Sequence, residues 1–246
     1  MVTMFHVKNI WRLSMVIVVF GLCPAHDLAA EAVGSPASIL KKGQWAMGLG
    51  GGALLGRGLK GDAEATVYQG GHFRGYGLTD GLSLYGKIGG AYLEVDDASI
   101  KKTNDPSSTN SFGAAMLVNV QLKGRIWEHA KTGWEWDGSI HYVDIRARHR
   151  DDNDGRWHEW VFATSVAKAF GRVKPYVGIK LSIIDFDFKI RQNGSLLQQG
   201  DYKQDGLVGA FLGTDVSFGE SEDVILNIET SYTDGAEITA SIAYTF

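Results

Sequence analysis

The chain ends in Ile238-Thr239-Ala240-Ser241-Ile242-Ala243-Tyr244-Thr245-Phe246, where apolar residues alternate with polar or small ones up to a final aromatic side chain. A period of two predicts a β-strand with one apolar and one polar face. Chain termini usually fray in water, so such a strand needs a neighbour on each side and an apolar medium against one face. A closed barrel in a membrane supplies both.

Similar alternating segments between turn signals recur along the chain and predict about ten strands, each of roughly 10 to 15 residues. We place them at residues 44–55, 65–78, 82–95, 111–126, 133–146, 156–170, 174–190, 204–218, 223–233 and 236–246. The expected fold is therefore all-β, a closed antiparallel transmembrane β-barrel. If the last hairpin, at Asp234-Gly235, is misread, the barrel has eight strands instead.

Short and long links alternate between these segments. The short links lie at 79–81, 127–132, 171–173 and 219–222, and the long polar ones at 56–64, 96–110, 147–155 and 191–203. Short periplasmic turns on one rim and longer outer loops on the other are typical of outer-membrane barrels.

Aromatic residues cluster near the strand ends, as expected for two belts at the membrane interfaces. The short-turn belt is predicted to contain Trp45, Tyr76, Trp134, Trp136, Tyr244 and Phe246, and the long-loop belt Tyr92, Phe112, Tyr142, Trp157 and Trp160. The alternative is that these are core aromatics of a soluble all-β domain. A lipocalin-like barrel would not need such long strands, because ordinary strands have about five or six residues.

The first thirty residues have the pattern of an export signal. Lys8 and Arg12 precede the apolar segment 15–23, and small residues at 28–30 offer a cleavage site. That segment is about half the roughly 20 residues of a spanning helix. We expect a signal peptide at 1–30 and one outer-membrane barrel domain at 31–246.

Composition narrows the range of functions. The sole cysteine, Cys23, lies in the predicted signal, so a mature chain forms no disulfide. The formal net charge of −4 disfavours a nucleic-acid partner, which would require a basic face.

Two segments resemble those of bacterial outer-membrane β-barrel proteins. The tail resembles their C-terminal assembly signal, with aromatic Tyr244 and Phe246, although Ser241 stands where that signal usually has glycine. Residues 76–86 resemble the first periplasmic hairpin of the small opacity-type, OmpA- or OmpX-like surface barrels. The resemblance implies export across the inner membrane and insertion by the barrel assembly machinery. We therefore expect the protein in the cell outer membrane, with outer-membrane lipid and lipopolysaccharide as partners.

Charged and amide side chains collect on the face that this fold turns inward. The predicted inward set is Lys87, Asn119, Gln121, Lys123, Arg125, Glu135, Asp137, His141, Lys180, Asp215, Asn227 and Glu229. A symmetric hairpin around Ala130 would set Arg125 against Glu135 and Lys123 against Asp137, close enough for ion pairs. We take Lys123, Arg125, Glu135, Asp137 and His141 as a candidate lumen polar network, which either plugs the barrel or lines a selective pore.

Catalytic groups are harder to find. Ser139 and His141 share a face, but positions two apart on a strand are separated by about 6.7 Å. Asp185 and Asp187 show the same spacing near the outer rim. No catalytic residue is assigned, and the expected role is non-enzymatic: structural, surface-interacting or passing small solutes. The alternative is a membrane-embedded hydrolase cleaving lipid or peptide at the outer rim.

A basic cluster precedes the third outer link. Arg146, Arg148 and Arg150 are candidate contacts for lipopolysaccharide phosphates, because arginine suits phosphate through paired hydrogen bonds. The acidic residues 151–155 lack the alternate-position ligands and closing glutamate of a calcium loop. We therefore predict no metal site and no cofactor.

Overall fold

The computed structural model describes residues 39–59, 63–96, 110–148, 154–192, 195–219 and 221–246. They form ten strands: β1 (Trp45–Leu59), β2 (Ala63–Thr79), β3 (Leu82–Asp96), β4 (Asn110–His129), β5 (Trp134–Arg148), β6 (Asp154–Lys168), β7 (Val173–Gln192), β8 (Ser195–Phe218), β9 (Val224–Tyr232) and β10 (Ala236–Thr245). Each strand pairs antiparallel with its sequence neighbours, and β10 pairs with β1, so the sheet closes into a barrel.

The ten-stranded fold is confirmed, and the eight-stranded alternative is wrong. Strands β9 and β10 form a separate hairpin in which Ala236 pairs with Tyr232. Its tight turn includes Asp234 with a φ of 53°, a left-handed conformation that Asp tolerates. Gly133 and Gly171 adopt φ angles of 67° and 61° on the opposite rim, where glycine has no Cβ to clash.

The strands extend into the predicted outer links. Residues 195–203, predicted as part of a long link, belong to β8 and pair with β7. Strand β3 ends at Asp96 and β4 begins at Asn110 on the outer rim, and the predicted link between them lies outside the described residues. No helix among the described residues is long and apolar enough to cross a membrane.

Between two aromatic belts, the exterior of the barrel is mostly apolar. Exposed side chains on the wall include Leu49, Ile88, Val120, Ile140, Val177, Ile179, Val208, Leu212 and Ile228. Trp45, Tyr76, Trp134, Trp136 and Phe246 are exposed at the periplasmic end, and Tyr92, Trp160 and Tyr232 are exposed toward the outer end. An apolar band between aromatic girdles is the surface that a bilayer requires.

The polarity of the two faces reverses beyond the outer belt. On β7, the outward positions change from Val177, Ile179, Leu181 and Ile183 to Asp185, Asp187 and Lys189, while the inward positions change from Lys180 and Ser182 to Ile184, Phe186, Phe188 and Ile190. The outer end of the wall therefore has water outside and a dry core inside, the reverse of the membrane segment.

This reversal corrects two belt assignments. Phe112 and Trp157 were expected on the outer belt, but both are buried in the lumen, each 1% exposed. They belong to an apolar core that fills the outer part of the barrel, with Ile145, Phe186 and Leu93. The alternation of apolar and polar residues continues through this region, but here the apolar face points into the lumen and the polar face points to water.

The chain before β1 enters the periplasmic mouth. Leu40 is buried against Phe73 and Tyr85, and its backbone N–H donates to Ser83 Oγ at 2.7 Å. A side chain at Gly77 would collide with the carbonyl of Lys41, so glycine permits this close approach. Leu40 thereby packs inside the periplasmic end of the barrel.

The predicted register of β4 and β5 is wrong by two residues. Arg125 lies opposite Asp137 rather than Glu135, and Lys123 lies opposite Ser139 rather than Asp137. The register shifts between Arg125 and Trp127. The error comes from the turn, which occupies residues 130–133 between His129 and Trp134 instead of centring on Ala130, and so moves the pairing by three residues. The bulge at Ile126 then moves it back by one.

Candidate functional site

The predicted inward residues do face the lumen. All are buried except Arg125, whose side chain is 21% exposed near the periplasmic mouth. The buried members are Lys87, Asn119, Gln121, Lys123, Glu135, Asp137, His141, Lys180, Asp215, Asn227 and Glu229. Whether the candidate network binds a ligand is a separate question, which depends on whether these groups leave open space.

Arg125 is the centre of the periplasmic part of this network. Its Nη2 lies 2.9 Å from Glu135 Oε2, its Nη1 2.8 Å from Glu128 Oε2, and its Nε 3.5 Å from Asp137 Oδ1. Lys174 Nζ donates to Glu135 Oε1 at 2.8 Å. The ion pair predicted between Arg125 and Glu135 therefore forms despite the corrected register, because the long guanidinium side chain spans the offset.

A second group bridges strands across the lumen. Lys180 on β7 donates to Glu237 Oε2 on β10 at 2.5 Å and to Ser231 Oγ at 2.7 Å. Tyr176 donates its hydroxyl to Glu229 at 2.9 Å, and Asn227 donates to that hydroxyl at 2.8 Å. These side chains satisfy one another, as buried charges must, since an unpaired one would be costly.

Two further predicted members occupy the wall between these groups. Lys123 Nζ lies 5.8 Å from the centroid of the Tyr85 ring, within cation–π range. His141 Nε2 contacts the side-chain amide of Gln121 and lies 3.1 Å from Ser139 Oγ. The contact between His141 and Ser139 corrects the expectation that these two residues are too far apart to hydrogen-bond. Their positions on the strand are two residues apart, but the side chains turn toward each other.

Apolar side chains fill the lumen beyond this polar layer. Phe112 and Phe186 pack edge to face with centroids 5.4 Å apart, and Phe186 stacks near Phe188 at 6.0 Å and Tyr202 at 6.3 Å. Close-packed rings leave little space for solute. The polar layer is therefore covered on its outer side by a dry core.

A small cavity lies where the polar layer meets this core. Its volume is about 20 Å³, and Arg57, Gln69, Trp157, Glu159 and Glu237 line it among others. Arg57 Nη2 lies 3.9 Å from Glu159 Oε1, and its Nε and Nη2 make no hydrogen bond within the described residues. A space of this size holds about one water molecule, so the cavity is too small to serve as a channel.

Outside the wall, basic and acidic side chains form a cluster just beyond the outer belt. Asp144 Oδ2 accepts from Arg146 Nη2 at 2.7 Å and Nε at 3.0 Å, and Asp144 Oδ1 lies 3.5 Å from Arg156 Nε. Tyr142 of the belt hydrogen-bonds His158 Nδ1 at 2.8 Å. We call Asp144, Arg146, Arg156 and His158 the outer rim cluster.

The two arginines of the outer rim cluster remain accessible. Their side chains are 56% exposed for Arg146 and 48% exposed for Arg156. Asp144 fixes one edge of each guanidinium, and the exposed remainder can donate to an external acceptor. Arg156 was missed by sequence reasoning, although its pairing opposite Arg146 follows from the β5–β6 hairpin.

The other basic candidates are less well defined. Arg148 is the last residue of β5, and its side chain is not among those described. Arg150 and most of the acidic segment 151–155 lie outside the described residues, as does the predicted signal peptide. Within the described ranges, no group of three or more His, Cys, Asp or Glu side chains is placed to hold a metal ion.

The C-terminal residue completes the barrel seam. Phe246 N donates to Trp45 O at 2.9 Å, and Trp45 N donates to Phe246 O at 2.9 Å. The Tyr244 and Phe246 rings stack with centroids 5.9 Å apart on the periplasmic rim. The predicted assembly-signal residues therefore lie at the point where the last strand closes against the first.

The groups considered for catalysis are dispersed. Asp185 faces outward, 3.9 Å from Lys203 Nζ, with its side chain 47% exposed. Ser139 and His141 lie in the lumen wall, away from the outer rim. Among the described residues, the groups considered above, Ser139, His141 and Asp185, therefore do not come together as a nucleophile, a base and an orienting carboxylate.

Among known proteins, the chain is similar to solved structures only. A scan against protein-family models and a search of curated proteins gave no match. Solved structures similar to the chain include the outer membrane protease OmpT of Escherichia coli, with 8% identity, 85% of this chain and 98% of that chain covered, and a TM-score of 0.46. OprG of Pseudomonas aeruginosa has 12% identity, coverage of 84% and 97%, and a TM-score of 0.40.

Ail, the attachment invasion locus protein of Yersinia pestis, has 12% identity, coverage of 83% and 99%, and a TM-score of 0.37. Identities and scores this low carry no argument on their own. The closed ten-stranded wall, its apolar exterior and its aromatic belts do carry one about architecture. The chain has the fold of an outer-membrane β-barrel.

Proposed function

We propose that this chain is a non-enzymatic outer-membrane barrel with a structural and surface-interaction role, which contacts lipopolysaccharide phosphates through Arg146 and Arg156. The observation that carries the proposal is the outer rim cluster, where two accessible guanidinium groups converge directly above the outer aromatic belt. Lipid phosphates of the outer leaflet lie at this level. Guanidinium groups bind phosphate through paired charge-assisted hydrogen bonds.

Asp144 has a positioning role in this proposal. Its carboxylate holds Arg146 through two contacts and approaches Arg156, so both cations are oriented before any lipid arrives. An ordered side chain loses less conformational entropy on binding than a free one. The two arginines of the cluster outnumber its one aspartate, although Asp187 lies opposite Arg156 on the outward face of β7.

Solute passage and hydrolysis are less well supported. The filled outer lumen argues against an open pore, because Phe112, Trp157 and Phe186 are buried where a channel would pass. The exposed Asp185 beside Lys203 argues for a solvated pair rather than a catalytic carboxylate. We therefore favour a role that uses the exterior of the barrel.

The proposal includes the route to the membrane. Residues 1–30 would direct export and be removed, and the barrel assembly machinery would insert residues 31–246 by reading the C-terminal strand. Support comes from the resemblance of the tail to an assembly signal and from the position of Phe246 on the periplasmic rim.

Lipopolysaccharide binding can be tested with a double variant, Arg146→Gln with Arg156→Gln. We expect affinity for lipid A, measured by titration of the folded barrel in detergent, to fall about tenfold, or roughly 1.4 kcal/mol. Arg172→Gln is the control, because Arg172 is exposed on the opposite, periplasmic rim. Dephosphorylated lipid A should bind the unmodified barrel and the double variant equally. Unchanged affinity of the double variant for phosphorylated lipid A would contradict the proposal.

A further inference from the structure

Strand β2 places two ionisable side chains on the face of the barrel that meets lipid. His72 and Arg74 are both exposed, and the intervening Phe73 is buried. Tyr76, the next outward residue, belongs to the periplasmic belt and lies with its ring centroid 4.7 Å from that of Trp45. Arg74 is thus about 6.7 Å along the strand from the periplasmic belt.

Arg74 is closer to the periplasmic interface than to the outer one. Tyr68, which pairs with Tyr92 near the outer end, is six positions from Arg74, whereas Tyr76 is two positions away. An arginine at this depth can keep its stem in hydrocarbon and turn its charged end toward the nearer interface. Any phosphate within reach belongs to the periplasmic leaflet.

The described part of the chain provides no partner for this charge. The residues opposite Arg74 are Met47 on β1 and Gly86 on β3, and those opposite His72 are Leu49 and Ile88. Among the described residues, no outward-facing carboxylate lies between the two aromatic belts. A charge facing hydrocarbon is costly and is usually retained for a function. The described wall therefore leaves Arg74 to pair with a group of the surrounding membrane or with interfacial water.

The wall beside Arg74 is recessed. A Cβ added at Gly86 would meet nothing within 4 Å, so this position exposes bare backbone. Leu84 and Ile88 flank it along β3, and Val120 lies opposite on β4, all of them exposed. An apolar recess next to a cation fits a molecule that has an anionic head and a hydrocarbon chain.

We propose that Arg74 binds the phosphate of a periplasmic-leaflet phospholipid, with an acyl chain of that lipid lying in the recess over Gly86. His72, one outward position deeper, offers an imidazole to the ester oxygens of the same lipid. The site is independent of the outer rim cluster, which faces the opposite leaflet. A second copy of this chain is a poorer occupant, because the described bilayer-facing wall would bring Arg74 no carboxylate.

The test uses the full mature barrel reconstituted in nanodiscs of phosphatidylethanolamine and phosphatidylglycerol, then transferred to mild detergent. Native mass spectrometry counts the phospholipid that remains bound. We expect the unmodified barrel to retain phospholipid, Arg74→Gln to retain at least tenfold less, and Arg74→Lys to fall between them. Arg172→Gln, a periplasmic charge outside the bilayer, should match the unmodified barrel. A shift in gel mobility on boiling confirms that each variant is folded.

Three results would overturn the proposal. Equal retention by the unmodified barrel and Arg74→Gln would mean that the arginine reaches water instead of a lipid. A dimer that is lost in Arg74→Gln, without bound phospholipid, would assign the surface to a protein partner. If barrel purified from whole outer membranes carries lipopolysaccharide in place of phospholipid, Arg74 faces the outer leaflet and the proposal is wrong. The Arg146 and Arg156 double variant should retain phospholipid at Arg74, and Arg74→Gln should still bind lipid A. The two proposals can therefore fail independently.

Discussion

Deletion of Phe246 is expected to reduce the folded barrel in the outer membrane more than any other single-residue change at the periplasmic rim. The deletion removes both backbone hydrogen bonds between Phe246 and Trp45 at the seam. Each such bond contributes about 0.5–1.5 kcal/mol, so the loss of both corresponds to roughly a fivefold to 150-fold fall in the population of the closed state. Comparison of boiled and unboiled outer-membrane samples on a detergent gel measures the folded fraction.

Phe246→Leu is the matched control for this deletion. It keeps the backbone N–H and carbonyl that pair with Trp45 and removes only the aromatic ring. We expect its folded fraction to stay close to that of the unmodified chain. Equal folded fractions for the unmodified chain and the deletion would contradict the account of the seam. An equally severe loss in Phe246→Leu would place the effect in recognition of the ring.

Phe186→Ala is expected to produce the largest loss of stability inside the barrel. Phe186 is fully buried and lies within 6.3 Å, centroid to centroid, of Phe112, Phe188, Trp157 and Tyr202. Removing a packed phenylalanine costs about 3–5 kcal/mol, because it leaves a cavity that its neighbours fill only in part. Urea unfolding of the barrel in lipid vesicles measures this change in the free energy of unfolding.

Phe162→Ala is the comparison on the outside of the wall. Phe162 is 40% exposed on the bilayer-facing side of β6. Lipid can occupy the space left by its ring, so we expect a clearly smaller loss than for Phe186→Ala. A loss for Phe186→Ala no greater than that for Phe162→Ala would show that the outer lumen is not a packed core.

The architecture could be predicted because alternation reports which face of a strand meets an apolar medium. In the membrane segment this reading was correct, as shown by the inward Lys180 and the outward Ile179 and Leu181 of β7. It failed past the outer belt, where a dry core replaces the polar lumen. Phe112 and Trp157 were assigned outward because a two-residue alternation distinguishes the two faces of a strand but does not show which face meets water.

The contacts of the candidate sites were less predictable for local reasons. The turn at residues 130–133 displaced the predicted pairing of Arg125, and the bulge at Ile126, a feature with no strong sequence signature, offset part of that displacement. Arg146 was identified from its basic neighbourhood, whereas Arg156 required the β5–β6 register. Arg74 was not predicted to face outward, because apolar and polar residues alternate only weakly along strand β2. The burial of Phe73 in the structure shows that its neighbour Arg74 points outward.

The central claim is a closed barrel whose lumen is filled by an ion-paired layer beneath an apolar core. Conductance of the unmodified protein in a planar lipid bilayer tests it most directly, because both layers lie across the lumen of the barrel. We predict insertion, verified by recovery of heat-modifiable protein from the same membranes, with no steady single-channel current. A large, stable single-channel current from the unmodified protein would contradict the account.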